Sequence, residues 1–343
     1  MANLTLANIN DLVLGTLKEL GPPKFSQIAQ SLTRYEIFSK WFKAQKMIVE
    51  SGYAVQRNLL AKTGGVAAHV GLRDPDVTGI SDHMVQITAP FKYARTQWGF
   101  GYVETLANRG KSLIFDVFEA RRAAAMIDLV EDIEAKAWAS PATTESKEPY
   151  GIPYWIVKNA TTGFNGALPG SHTTLAGISL TTYPTFKNYT AAYVAISKGD
   201  LIKKMRTGAR ATNFQTPLNL PEYRGNVGNR CRYYTNEAVV AGFEEIGESQ
   251  NENIGRDLAS MDGQMTFHKN AIIYVPQLDS DTANPVYQIE HESFKVLAQK
   301  GNWLRETEVL RDPERSDWFY IPVNLGYNYW CDDRRRQAVY YVA

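Results

Sequence analysis

The sequence predicts an α+β fold, on three observations. Helical and strand-like segments are mixed along the chain, without the strict alternation that builds a parallel βαβ array. The stretch Leu106 to Trp138 reads as one long helix carrying two apolar stripes. Tyr53 to Gly101 reads as a long two-stranded ribbon with an irregular tip.

Composition sets the outer limits. A chain of 343 residues can hold two domains and a substantial core. With 44% hydrophobic and 21% charged residues it is not a disordered chain. Its 37 basic and 36 acidic residues nearly cancel, so no whole-molecule field recruits nucleic acid or membrane. No apolar run approaches a bilayer span and no secretory pattern opens the chain, which predicts a soluble, cytoplasmic origin. The two cysteines, Cys231 and Cys331, lack CxxC spacing. They are expected as buried free thiols rather than a pair, and the sequons at Asn3, Asn159 and Asn188 then carry no weight.

The elements follow in order. Leu6, Ile9, Val13, Leu17 and Leu20 recur at helical spacing until Gly21-Pro22-Pro23 stops them. A second helix is expected from about Phe25 to Glu50, with Ile28, Leu32, Tyr35, Phe38 and Phe42 on one face. Met1 to Gly65 holds eight Lys/Arg against four acids; a solvated face is the ordinary cause, and contact with an anionic partner or another subunit is the alternative. In the ribbon, AVQRNLL and AHVGL read as extended, RDPDVTGISD as turn-rich, and HMVQITAPFKYARTQWGF as a strand interrupted by one proline. A lone hairpin buries too little to stand in water, so this arm must lie on its own domain or on a neighbour.

In the long helix, Leu113, Val117, Ala120, Ala124 and Ile127 share one side, and Phe115, Phe118, Met126, Leu129 and Ile133 the other. Asp116 and Glu134 mark one seam between the stripes, and Arg121, Asp128 and Asp132 the second. Two stripes call for contact on both sides. Either the helix is central to a large core, or it lies across a sheet and is covered by another segment or subunit. Beyond it, Tyr154, Trp155 and Ile156 are expected to open a strand. A helix begins near Asp200, capped by Ser197 or Asp200. EAVVAGFEEIGES is a further helix, AIIYVPQL a strand, and Asn284-Pro285 a turn. VYQIEHESFKVLAQ and the final YIPVNLGYNYWCDDRRRQAVYYV are strand-like, with Pro322 placing the last at an edge or a start.

The search for chemistry finds little. There is no phosphate loop, and WGFGYVE lacks the third glycine of a dinucleotide fingerprint. His69, His83, His172, His268 and His291 are scattered, and Glu290-His291-Glu292 has no second histidine four residues on. No GxSxG occurs, and neither cysteine lies in a nucleophile context. Adjacent carboxylates such as Asp332-Asp333 or Glu244-Glu245 would point apart in a strand. The run from Asp332 to Arg336 reads as a solvated or ion-paired edge. The aromatics are dispersed without a basic stripe, which suits core and subunit interface. No catalytic, cofactor-binding or metal residue is therefore named, and a structural or binding role is expected.

Four stretches carry a resemblance: KYARTQWGFGYVETLANRG, SLIFDVFEARRAAAMIDLVEDIEAKAW, GIPYWI and NPVYQIEHESFKVLAQKGNWLRET. Taken with the order of parts, they resemble the major capsid proteins of tailed bacteriophages, the Hong Kong 97-type fold. The resemblance implies an N-terminal arm over 1–50 and an extended loop over 51–100. It implies a peripheral domain over 101–190 with the spine helix 106–138, an axial domain over 191–320, and a C-terminal strand over 321–343 returning to the peripheral domain. It further implies a structural, non-enzymatic head subunit without cofactor, located in the virion and assembled in the host bacterial cytoplasm. Its partners would be itself, in hexamers and pentamers of a closed shell, packaged double-stranded DNA through non-specific contacts, a separate scaffolding protein, a portal and decoration proteins, and no membrane. Crosslinking through Lys62 is imaginable, but no motif identifies its partner. Two other readings stand beside this one: the shell of a bacterial encapsulating nanocompartment, and an α+β enzyme with an unrecognised site.

Overall fold

A computed structural model describes residues 35–44, 46–61, 69, 71, 83–107, 117–143, 146–170, 172–213, 231–248, 265–268, 270–315 and 317–343. Outside these lie the expected helix 4–20, the start of the second helix, the ribbon tip with Lys62, the residues Leu113, Phe115 and Asp116, and the GRDLASMDG loop. The strands are β1 (Lys46–Val49), β2 (Ala54–Leu60), β3 (Met84–Pro90), β4 (Lys92–Gly101), β5 (Gly163–Gly166), β6 (Asn188–Tyr193), β7 (Cys231–Thr235), β8 (Thr266–Phe267), β9 (Asn270–Tyr274), β10 (Val286–Glu290), β11 (Phe294–Gln299), β12 (Arg305–Glu306), β13 (Leu310–Arg311), β14 (Trp318–Cys331) and β15 (Ala338–Val342). The helices used below are α1 (Tyr102–Ala107), α2 (Val117–Ala137), α3 (Ile152–Trp155), α4 (Leu201–Thr212) and α5 (Glu237–Glu248). Among the described residues, no helix is long and apolar enough to cross a membrane.

The described residues form two compact units, the first from those within 93–133 and 301–326 together with Tyr35, the second from those within 36–92, 134–300 and 327–343. In the first, β12, β13 and β4 pair with the first half of β14. Gly99 allows the closest approach, since a Cβ there would sit 2.8 Å from the Phe319 carbonyl oxygen. Arg121 reaches back from α2 to the carbonyl of Gly99 (2.9 Å) and to the Glu104 carboxylate (2.7 and 3.1 Å). Burial alone would raise the Glu104 pKa, but the Arg121 hydrogen bond, the Gly101 N–H and the Arg121 charge together lower it.

In the second unit, a seven-stranded sheet runs β5-β6-β15-β10-β7-β9-β8. Tyr189, Ala191, Tyr193, Tyr233, Val286, Ala338 and Tyr340 point to one face, where they pack with Leu201 and Met205 of α4 and Val239 and Phe243 of α5. The other face carries Tyr234 and Tyr287, which meet Trp138 at ring-centroid distances of 5.7 and 6.0 Å. Both faces are therefore buried. Separately, β1 runs parallel to β11, and β11 antiparallel to the second half of β14. The ribbon, β2 against β3 in antiparallel register from Ala54↔Pro90 to Leu60↔Met84, has its base anchored in this unit. Ile87 and Ala89 are fully buried there, and the Thr88 N–H donates to the Ala176 carbonyl (2.9 Å).

Several expectations are corrected. The helix expected to Glu50 has ended by Ala44: Ile37–Trp41 is a π-helical turn continued by Phe42–Ala44, and Lys46–Val49 is strand β1, because β11 offers it a ladder. HMVQITAPFKYARTQWGF is two strands; β4 leaves the ribbon to pair with β14. Ile152–Trp155 is a short helix, not a strand, with Pro153 in its first turn where a missing N–H costs nothing. Pro322 lies inside the fourteen-residue β14, in the gap between the residues paired to β12 and those paired to β13, and its carbonyl accepts from the Thr307 N–H. The final 23 residues hold two strands, the end of β14 and all of β15, in different sheets.

Helix α2 is present over Val117–Ala137, and Leu129 and Ile133 of the second stripe are buried. The first stripe is more open: Ala120 and Ile127 are half-buried and Ala124 is exposed. Glu134, expected along a solvent-facing seam, is fully buried.

Candidate functional site

Two buried charges organise the second unit. The first is Arg334, in the short turn between β14 and β15, expected at a solvated edge but fully buried. Its Nε donates to the Trp155 carbonyl (2.5 Å), Nη1 to the Phe186 carbonyl (3.0 Å), and Nη2 to the Ala167 carbonyl (3.1 Å) and Asn188 Oδ1 (2.9 Å). The planar fork of a guanidinium suits this work, since it aims several donors at separated acceptors. Burial lowers its pKa to about 10, so it remains a cation at neutral pH. Asn188 completes the knot, its Oδ1 accepting from the Val157 N–H (3.0 Å) and its amide donating to the Val157 carbonyl (3.0 Å). Gly166 is needed beside it, because a Cβ there would lie 1.8 Å from Asn188 Oδ1. The neighbouring charges behave as expected: Asp333 pairs with Arg335 (2.9 Å) and Asp332 with Arg57 of the ribbon (2.9 Å).

The second buried charge is Glu134. Its carboxylate accepts from the N–H groups of Ile37 (3.0 Å) and Phe38 (3.3 Å), at the start of the π-helical turn, and from Trp138 Nε1 (3.4 Å). Burial raises its pKa to about 7, the hydrogen bonds oppose that, and buried Glu36 adds to it. Beside it, Trp41 Nε1 donates to Tyr234 Oη (2.9 Å), and Tyr234 Oη lies 2.8 Å from His291 Nε2. The tyrosine hydroxyl is thus shared between the indole and the imidazole, and which of Oη and Nε2 donates follows the histidine tautomer. Burial, aided by the Arg232 charge, lowers the His291 pKa to about 3 and keeps the ring neutral.

The Glu290-His291-Glu292 tripeptide does not converge on a common centre: His291 faces Tyr234 while Glu290 accepts from the Ser293 hydroxyl (2.7 Å). His172 meets the Pro141 carbonyl (2.9 Å), and His268 is at positive φ against Phe267. Cys231 and Cys331 are both buried and unpaired, and burial pushes the Cys231 thiol up to about 12, far from nucleophilic. Among the described residues, no group of three His, Cys, Asp or Glu side chains could hold a metal ion. A groove of about 560 Å³ runs between the ribbon and its own unit, flanked by Arg57, Leu60, Met84, Tyr183 and Arg336. Its charges are largely spent on one another, through Arg57–Asp332 and Arg335–Asp333.

The surface is more telling than any cleft. In the second unit Tyr53 and Val194 are 89% and 86% exposed, and Leu60 and Met84, exposed as well, are direct cross-strand partners at the outer end of the described ribbon. In the first, Tyr93, Tyr102, Val103, Val309 and Leu310 are exposed. The Leu60–Met84 pair is the one place among these where two exposed apolar side chains are shown side by side.

At the level of sequence, no family model and no curated protein matches the chain. Solved structures do. The capsid subunit of cyanophage A-1(L) superposes with a TM-score of 0.66 at 14% identity, over 94% of this chain and 96% of that one. The capsid of a native GTA particle gives 0.60 at 12% identity over 100% and 99%, and the capsid of Myoviridae phage XM1 0.57 at 10% over 100% of both chains. The chain has the α+β fold of these phage-type capsid subunits, the Hong Kong 97 type, over its whole length.

Proposed function

We propose that the chain is the structural subunit of an icosahedral bacteriophage head, which assembles with copies of itself into pentamers and hexamers enclosing double-stranded DNA. The observation that carries this is fold identity along the entire chain with subunits whose structures are capsids. Support comes from the surface, where the ribbon presents the exposed apolar side chains of Leu60 and Met84, which a shell contact would bury. The chemistry agrees: Arg334, Glu134 and His291 are each tied by hydrogen bonds to other parts of the fold, which suits a subunit with a structural rather than an enzymatic role. The virion is then its location.

The finer assignments belong to the same proposal. Residues 1–50 serve as the N-terminal arm, 51–100 as the loop laid on a neighbour, and 101–190 as the peripheral domain with the spine helix. Residues 191–320 form the axial part that meets neighbours around five- and six-fold centres, and 321–343 the returning segment. A separate scaffolding protein, a portal, decoration proteins and non-specific contacts to the packaged DNA complete the partners. Heterologous contacts of this kind close into rings and then shells, and many modest contacts sum to a stable particle. Light scattering and negative-stain microscopy of the purified full chain test the proposal. Closed particles of megadalton mass are expected; a monomer or dimer under every salt, pH and crowding condition would overturn it.

A further inference from the structure

Helices α4 and α5 cover the same face of the seven-stranded sheet, α4 over β6 and β15 and α5 over β9, and residues of both enter one core. On α4, Leu201, Met205, Gly208 and Thr212 face inward. At 100° per residue, Lys203, Arg206 and Arg210 then gather on the opposite side, and all three are exposed. Helix α5 does the reverse. Val239 and Phe243 enter the core, while Glu237, Glu244 and Glu245 are exposed on the outer side.

These six charges have no ion-pair partner among the described residues. Other charges of the unit are paired: Lys136 with Glu148, Lys158 with Asp281, Lys204 with Asp200, and Lys300 with Glu50. Bases three and four residues apart on one helix face repel one another, so the α4 face is unfavourable until an anion meets it. The match to it is carried by the same polypeptide, over different strands of the same sheet.

We propose that the basic face of α4 in one copy docks on the acidic face of α5 in a second copy of this chain, with Lys203, Arg206 and Arg210 opposite Glu237, Glu244 and Glu245. The proposal rests on the shell-subunit reading and names the surface that orients one copy against the next. Exposed pairs contribute little singly, but they steer encounter and exclude wrong registers, and repetition through a closed assembly multiplies them.

The test uses four full-length proteins: the unaltered chain, a triple reversal on α4 (Lys203→Glu, Arg206→Glu, Arg210→Glu), a triple reversal on α5 (Glu237→Lys, Glu244→Lys, Glu245→Lys), and the two combined. Particle yield is read by sedimentation at fixed concentration and salt, and folding by circular dichroism. Each triple reversal should lower particle yield roughly tenfold by turning attraction into repulsion, and the combination should restore it. Reversals that assemble like the unaltered chain overturn the docking, as does a combined variant no better than either parent. If a reversed protein fails to fold, cysteines decide. Copies carrying Arg206→Cys are mixed with copies carrying Glu244→Cys and treated with a short bismaleimide. The native thiols are buried and spectate. A crosslinked dimer confined to the mixture supports the docking, and its absence overturns it. Failure of the unaltered chain to form particles sinks the shell reading instead, so the two ideas fail separately.

Discussion

Arg334 and Glu134 are each an ionisable group taken out of water in the same unit, and each is held by neutral dipoles rather than by an opposing ion. The arginine gathers four acceptors from segments spread between Trp155 and Asn188, and the glutamate takes two backbone N–H groups and an indole. The difference lies in what burial does to each proton. With its pKa lowered only to about 10, Arg334 stays charged at every physiological pH and acts as a permanent post. Glu134, raised to about 7, titrates where cells live, so the start of the π-helical turn hangs from a group whose charge is conditional. The same solution to desolvation thus yields one fixed anchor and one pH-responsive one.

The sharpest way to break this comparison is Arg334→Ala. It strands three carbonyls, takes one of two donors from Asn188 Oδ1 and opens a cavity, and should cost about 3–5 kcal/mol in chemical denaturation of the chain. A loss below about 1 kcal/mol would mean that the knot is held by something else.

The pH profile comes next. Because the folded pKa of Glu134 lies above its ordinary value, its contribution is complete below about pH 4.5 and is lost as pH rises through about 7, on the order of 3 kcal/mol in all. His291, lowered from 6.5 to about 3, works the other way: its contribution is complete above 6.5 and is lost as pH falls toward 3. Denaturant midpoints from pH 3 to 9 should therefore fall on both sides of an acidic-to-neutral optimum. Glu134→Gln should flatten the rise-in-pH limb alone. An unchanged limb would remove Glu134 from the account.

Arg334→Lys is a finer probe. An ammonium keeps the charge but cannot reach acceptors in four directions, so about 2 kcal/mol should be lost although net charge is unaltered. Recovery of full stability would show that charge, not the fork, matters. The smallest effect is expected at Arg57→Ala, which removes a half-exposed pair with Asp332 between ribbon and body. A thermal melt should shift by no more than the equivalent of about 1 kcal/mol, and less in high salt.

Much of the architecture was legible in the residues. The α2 helix follows from propensity and spacing, the β2–β3 ribbon from extended runs around a turn-rich tip, α4 from the helix start expected near Asp200, and α5 from the helical stretch EAVVAGFEEIGES. The buried polar centres were not. Asp332 to Arg336 carries the signature of a wet edge, and nothing local distinguishes Arg334 from Arg335. The distinction comes from carbonyls at 155, 167 and 186, which the fold delivers from far along the chain. Glu134 was misjudged for the same reason, since its two backbone donors lie nearly a hundred residues earlier.

What the sequence by itself determined was period and punctuation: which stretches coil, which extend, and where proline and glycine interrupt them. These depend on neighbours within a few residues, and such forces are written directly in the order of side chains. Tertiary structure decided that Lys46–Val49 joins a sheet, that Ile152–Trp155 turns helical, and that one arginine among three is enclosed. Each depends on a partner brought from elsewhere, and a hydrogen bond or a buried face exists only once that partner has arrived.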